Sequence, residues 1–188
     1  VTQIPVDLDA HGFRLVITDT KGDHADLTDD YAAIRREMEA VAACFGKQVL
    51  RQVDGGELLA NLPALREKTG DRAVLRAIHF FEECRRVGVL QNSLQTDDFA
   101  TFLHTIIEGG PSFFELNQNA YSLKEPSHQG IPLALALSQL VLAQRGAWRL
   151  QGGGFAGTIQ AFVPVDLVPE YDRVLGNVFG DDACHALT

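Results

Sequence analysis

The sequence predicts an α+β protein, with a small sheet drawn from both ends of the chain and helices filling the interval. Three observations carry this prediction. Phe13–Thr18 (FRLVIT) is dense in β-branched and large apolar residues, the composition of a buried strand. Thr158–Pro164 (TIQAFVP) has the same character and follows the shorter strand-like Ala147–Gln151. Between these segments apolar residues recur three and four apart, which is helical spacing. Strands at both ends with helices between them make a two-layer α+β sandwich.

Val1–Leu8 reads as strand-like and leads to a turn at Asp9–Gly12. After the strand Phe13–Thr18, the polar stretch Lys21–Asp26 reads as a turn. A helix follows from Thr28 to Phe45: Asp26 or Thr28 caps it, Asp29 and Asp30 suit the positive end of the dipole, and Gly46 closes it. Its inward face carries Ile34, Met38, Val41 and Phe45. Glu57–Leu65 makes a short helix, and Asp71–Gly88 a long one with Val74, Ile78, Phe81 and Val87 near one side. Thr96–Ile107 opens on Thr-Asp-Asp and carries Phe99, Phe102, Leu103 and Ile106. Ile131–Arg145 is apolar almost all round, the pattern of a buried helix, with Gly146 at its end. An amphipathic helix, Leu167–Phe179, ends at Gly180, and Ala183–Thr188 begins a further apolar segment. There is no initiator Met, no internal repeat, no charge block and no Ser/Gly-rich linker. The expectation is one domain over residues 1–188, cut at both ends from a longer protein.

Composition bounds the function. With 46% hydrophobic residues the 188-residue chain can build a core, so disorder is excluded. The longest near-apolar run, Ile131–Ala143, is too short to span a bilayer, which needs about 20 residues. A net charge of −9 argues against nucleic acid or an anionic membrane as the partner. Cys44, Cys84 and Cys184 fit neither a disulfide framework nor a zinc ligand set, which points to a reducing cytoplasm, and no metal ligands are proposed.

Three segments can carry chemistry. Gly152-Gly153-Gly154-Phe155-Ala156-Gly157 joins two strand-like segments. Its glycines reach conformations barred to other residues, and successive N–H groups in such a loop form a concavity suited to an anion. No Gly-Lys-Ser/Thr follows, and a strand rather than a helix comes next, so it matches neither the P-loop nor the dinucleotide fingerprint. A tight hairpin and a ligand-facing loop both remain open. Asp19 to Leu27 runs from a strand end into a helix start, a common place for a ligand, with Lys21, His24 and Tyr31 as polar candidates; an ordinary turn with a cap is the plainer reading. Arg76, His79, Glu83 and Arg86 lie three or four residues apart on one helix face, and a solvated salt-bridge face accounts for them. There is no Gly-x-Ser-x-Gly elbow, and no Ser-His or Cys-His set can be argued.

In order, these segments resemble the C-terminal half of galactokinases, which belong to the GHMP small-molecule kinases. The resemblance rests on Ile17-Thr18-Asp19-Thr20, His24 and Tyr31-x-x-x-Arg35-Arg36; on Arg76-Ala77-x-His79-x-x-x-Glu83-x-x-Arg86; and on Gly152-Gly153-Gly154-Phe155-Ala156-Gly157-Thr158. The last is similar to the family's third motif, Gly-Gly-Gly-Phe-Gly-Gly, with Ala156 in place of one glycine. The Asp19–Thr28 run and Ala147-Trp148-Arg149 are more similar to a divergent bacterial branch.

The resemblance implies a ferredoxin-like two-layer sandwich with added helices. It implies an ATP- and Mg2+-dependent enzyme, in its full length, that phosphorylates galactose at the anomeric hydroxyl. The family's phosphate loop, sugar motif and catalytic Asp belong to an N-terminal domain absent from these residues, so no catalytic residue is expected here and the piece alone should be inactive. Tyr31 matches the family's sugar-contacting Tyr, and Gly152–Gly157 the motif beside the phosphate-binding region. Asp23 stands where many relatives carry an Arg near the phosphates, leaving Lys21 as the candidate for that charge. Glu108-Gly109-Gly110-Pro111-Ser112 keeps a Ser but lacks the usual Ser-His before it. Family membership makes the Arg76/His79/Glu83/Arg86 face structural. The alternatives are a galactose- and ATP-binding sensor that transfers nothing, and a GHMP kinase for another sugar. A face left bare by the missing domain should favour self-association.

Overall fold

A computed structural model of the chain describes residues 3–23 and 26–187. One antiparallel sheet is formed by β1 (Phe13–Asp19), β2 (Ala147–Leu150), β3 (Thr158–Pro164) and β4 (Cys184–Leu187), in spatial order β2-β3-β1-β4. The helices are α1 (Thr28–Ala43), α2 (Gly55–Ala60), α3 (Leu62–Thr69), α4 (Asp71–Gln95), α5 (Phe99–Pro111), α6 (Gly130–Leu142) and α7 (Val168–Phe179). Taking β1, α6, β2, β3, α7 and β4 in turn gives the βαββαβ path and strand order of a ferredoxin-like layer, and α1 to α5 are the added helices, inserted ahead of α6.

Strand β1 lies at the centre. It pairs with β3 from Phe13 opposite Pro164 to Asp19 opposite Thr158, and with β4 from Leu15 opposite Leu187 to Thr18 opposite Cys184. Alternation along the strands then sorts the side chains into two faces. Val16, Leu150, Ile159, Ala161 and Val163 meet Ile131, Ala134 and Leu142 of α6 and Tyr171 and Leu175 of α7. On the opposite face Phe13, Leu15, Ala147 and Phe162 meet Phe102 and Ile106 of α5 and Leu90 and Leu94 of α4. A separate core inside α1 to α4 is built on Val41, Leu58, Leu65, Val74 and Ala77. A hydroxyl pair in the sheet core is satisfied internally: Ser138 Oγ donates to Ala134 O at 2.8 Å, so Tyr171 donates to Ser138 Oγ, also at 2.8 Å. Burial holds the Tyr171 phenol above its usual pKa, and it stays protonated.

Several boundaries differ from the expectations, each for a local reason. Residues 3–7 form no regular strand, and Val1 and Thr2 lie outside the described residues. Neither Asp26 nor Thr28 caps α1; Leu27 occupies the cap position without a side-chain bond, and α1 ends at Ala43, with Gly46 at φ +66° closing the turn beyond it. The expected Glu57–Leu65 helix is two helices. Asp54 accepts from the N–H groups of Gly56 and Glu57 to start α2, and Pro63 falls in the first turn of α3, where a proline costs no hydrogen bond. Helix α4 continues past Gly88 to Gln95, and Val87 is exposed. Asp98 caps α5 by accepting from Thr101 N–H, and at Pro111 the helix widens into a π-helical turn, Ser112–Asn117, after a residue with no N–H to offer. Helix α6 stops at Leu142, with Ala143 at φ +48°, rather than at Gly146. It is not buried all round either: Leu133 is 47% and Leu140 78% exposed.

Candidate functional site

The glycine loop between β2 and β3 is a hairpin closed by Gln151 N–H donating to Thr158 O at 3.1 Å. Left-handed φ values occur at Gly152 (+75°), Gly154 (+80°), Phe155 (+61°) and Gly157 (+94°). At Phe155 this conformation is unusual for a residue with a side chain. It is the centre of a γ-turn, in which Ala156 N–H donates to Gly154 O at 2.8 Å. Among the described residues no acceptor takes the N–H of Gly153 or Gly154. The loop is thus a hairpin whose exposed Gly153 N–H is left over as a main-chain donor, while Gly154 is buried.

Tyr31, in the first turn of α1, comes to the same place. Its hydroxyl donates to Gly154 O at 2.8 Å, the carbonyl that also closes the γ-turn, and its ring stands edge-on to Phe155 with centroids 5.2 Å apart. Burial and the neighbouring Asp30 charge raise the Tyr31 pKa, which keeps the phenol a donor. The fit on Gly153 is close, since a Cβ there would lie 2.7 Å from Tyr31 Cε1.

Asn119, which the sequence reading missed, holds the loop from the other side. It is 2% exposed; its Nδ2 donates to Gly153 O at 2.9 Å and its carbonyl accepts from Phe155 N–H. Gly154 packs on it so tightly that a Cβ would stand 2.1 Å from Asn119 O. Asn119 begins a strap, residues 118–129, that is tied to the start of α1: Ser122 Oγ donates to Asp30 at 2.8 Å and Lys124 Nζ to Asp26 O at 2.5 Å. The Asn117-Gln118-Asn119 run is polar with no periodicity, so it reads as plain loop and gives no local signal of this role.

The turn after β1 abuts the loop as well. Thr20 donates through both N–H (2.9 Å) and Oγ1 (2.7 Å) to Gly157 O, and a Cβ on Gly22 would lie 3.1 Å from that of Ala156. Lys21 is paired with Asp182 at 3.2 Å and with Asp19 at 3.5 Å, and the Asp182 hydrogen bond raises its pKa. Two carboxylates therefore share the cation that the sequence offered for the missing arginine. His24 lies outside the described residues.

The Arg76/His79/Glu83/Arg86 face is not a solvated one. Arg76, His79 and Arg86 are 2%, 5% and 4% exposed, because α5 and the π-helical turn close over them. Arg76 donates to Asn117 O (3.0 Å) and to Glu37 (2.8 Å); Arg86 donates to Glu83 and to Ser112 Oγ, both at 2.8 Å; Arg149 of β2 reaches Glu83 at 3.2 Å and lies over the Phe113 ring. His79 Nδ1 meets Ser112 Oγ at 2.8 Å, and burial lowers its pKa to about 4, so it is neutral at pH 7. This network joins α4 to the segment that leads into Asn119. It supports the site without facing it.

A cleft of about 350 Å³ lies behind the loop, lined by Phe155, Asp30, Arg72, Arg76 and Tyr121 among others. Among the described residues no group of three or more His, Cys, Asp or Glu side chains is placed to hold a metal ion. Nor is any helix among them long and apolar enough to cross a membrane.

No protein-family model matches the chain. It is similar to the galactokinase of Actinobacillus pleuropneumoniae serotype 3 (strain JL03), with 27% identity over 177 residues, which are 94% of this chain and 43% of that protein. The Homo sapiens galactokinase is 26% identical over 176 residues, 93% of this chain and 41% of its own length. The chain therefore spans less than half the length of these curated relatives. A solved structure of Lactococcus lactis galactokinase complexed with galactose superposes with a TM-score of 0.70 at 21% identity, covering 97% of this chain and 46% of that one. The α+β layer with added helices is shared with it, and the resemblance to the C-terminal part of galactokinases extends along nearly the whole chain.

Proposed function

We propose that these residues are the C-terminal domain of a galactokinase, which in its full length transfers the γ-phosphoryl group of ATP to the anomeric hydroxyl of galactose. The observation that carries this reading is the junction of Tyr31 with the glycine loop: the position expected to contact the sugar and the loop expected beside the phosphates share one carbonyl, Gly154 O. The loop suits a nucleotide phosphate, because Gly153 is exposed and its N–H is a donor with no acceptor among the described residues. ATP supplies the transferable phosphoryl group. In such a transfer the protein mainly positions reactants and stabilises charge, so this domain's part is to orient: Tyr31 fixes a sugar hydroxyl, and the loop holds one wall of the phosphate region. The described residues supply no cluster of three or more His, Cys, Asp or Glu side chains for Mg2+.

A domain that only orients should not turn over by itself. ADP release, measured with and without galactose on the full-length polypeptide and on residues 1–188 alone, tests the reading. Galactose-dependent release from the full-length polypeptide only is the expected result. No release from it, with galactose still raising its melting temperature, would replace the kinase by a sugar sensor. Turnover with another sugar but not galactose would keep the kinase and change the substrate.

A further inference from the structure

We infer that Asn119 is a positioning residue for the glycine loop: it and Tyr31 together hold the γ-turn at Phe155 in the shape that presents the loop's N–H donor. This rests on the reading of the loop as the wall of a phosphate site. Three observations lead to it. The turn is strained, with Phe155 at φ +61°, and strained backbone persists only where its surroundings over-determine it. The surroundings are two hydrogen-bonding residues from separate parts of the chain. Tyr31 donates to Gly154 O, while Asn119 takes Gly153 O with its side-chain Nδ2 and Phe155 N–H with its main-chain carbonyl, so that Gly153, Gly154 and Phe155 are each gripped and the Gly153 bond is the one that depends on the asparagine side chain. Finally, Asn119 Oδ1 is buried with no hydrogen-bond partner among the described residues. An unpaired buried acceptor is costly, and an asparagine kept here in spite of it is kept for its donor and its fit on Gly154.

Asn119 is grouped with the site only through the loop. Its side chain bonds Gly153 O of the loop, so its removal should act on the nucleotide more than on the sugar. The strap extends the hold: Ser122 and Lys124 anchor it to Asp30 and to the carbonyl of Asp26, on either side of Leu27 where α1 begins. Loop and Tyr31 are therefore set by one continuous piece of backbone.

The experiment uses the full-length polypeptide with Asn119→Ala and Asn119→Asp; the second keeps the volume and replaces the Nδ2 donor by a carboxylate oxygen that opposes Gly153 O, so it decides the matter if the first does not fold. Two readouts are taken on each. Amide hydrogen exchange at Phe155 is expected to speed up at least tenfold, and KM for ATP to rise about tenfold, with KM for galactose changed less than twofold. Unchanged exchange at Phe155 in a folded variant overturns the inference, as does an equal rise in both KM values. If the wild-type protein shows no kinase activity, the functional reading fails, and exchange at Phe155 still decides whether Asn119 holds the loop.

Discussion

Replacing Gly154 with alanine isolates how tightly the loop is seated. At φ +80° any side chain adds a conformational cost of about 1–2 kcal/mol. The new Cβ would also stand 2.1 Å from Asn119 O and 2.6 Å from its Nδ2, more than an ångström short of ordinary contact with a backbone atom that cannot rotate away. Relieving that overlap separates Gly154 from Asn119 and puts at risk both hydrogen bonds between Asn119 and the loop, each worth about 0.5–1.5 kcal/mol. The total is about 2–5 kcal/mol. Gly152 is the internal control: its φ is nearly the same, +75°, but nothing lies within 4 Å of its Cβ position, so Gly152→Ala should cost only the conformational part, about 1–2 kcal/mol. Urea unfolding of the two variants beside the parent gives the difference directly, provided the slope of free energy on denaturant is unchanged. If Gly154→Ala matches Gly152→Ala within about 0.5 kcal/mol, the close packing of Asn119 on Gly154 is not a feature of the folded protein.

Other outcomes follow from the same geometry. His79, with its folded pKa lowered to about 4 against about 6.5 unfolded, takes up its proton more readily in the unfolded chain; the stability it contributes is present above pH 6.5 and is lost as the pH falls toward 4, by about 3 kcal/mol at most. His79→Gln should remove that part of the slope in a series of unfolding curves from pH 7 to pH 4. Ser112→Ala leaves His79 Nδ1 and one Arg86 nitrogen without their buried partner and should lower stability by about 2–4 kcal/mol in urea unfolding. Tyr31→Phe keeps the ring on Phe155 and deletes the hydrogen bond to Gly154 O, a loss of about 1 kcal/mol for that bond, while raising KM for the sugar in the full-length polypeptide. Tyr171→Phe deletes a bond that Ser138 does not depend on, since Ser138 still donates to Ala134 O, and should cost no more than about 1.5 kcal/mol by the same assay.

The parts of the fold that were legible in the sequence are those whose pattern is local. Strand β3 has the expected ends, β1 is one residue longer, and α7 begins one residue late after a short 3-10 turn, because strand alternation and an amphipathic face are written in consecutive residues. Burial of charge was not legible. From spacing alone Arg76, His79 and Arg86 read as a solvent face, until Glu37 is seen to partner Arg76 and Ser112 to partner His79 and Arg86, all distant in sequence. The error on α6 has the opposite sign: an all-apolar helix was expected to be buried on every side, and the sheet covers only one. At the candidate site, the contact of Tyr31 with the glycine loop joins two segments that the sequence singled out separately, the glycines from their density and Tyr31 from its motif. Asn119 was not singled out, because a single asparagine in a polar stretch carries no pattern, and its importance comes from a contact 34 residues away.

The proportions of the sheet bear on how this protein behaves when it is crowded. Of its outer strands, β2 is four residues long, whereas the two inner ones are seven. An outer strand offers its unpaired main-chain groups to any chain that collides with it, and a short one offers too few to template a growing ribbon. The long, sticky runs FRLVIT and TIQAFVP are the ones enclosed on both sides. Colloidal stability therefore depends on the integrity of the outer pair: peeling β4 away would uncover β1, the strand best suited to seed aggregation, so solubility and that outer strand should be lost together.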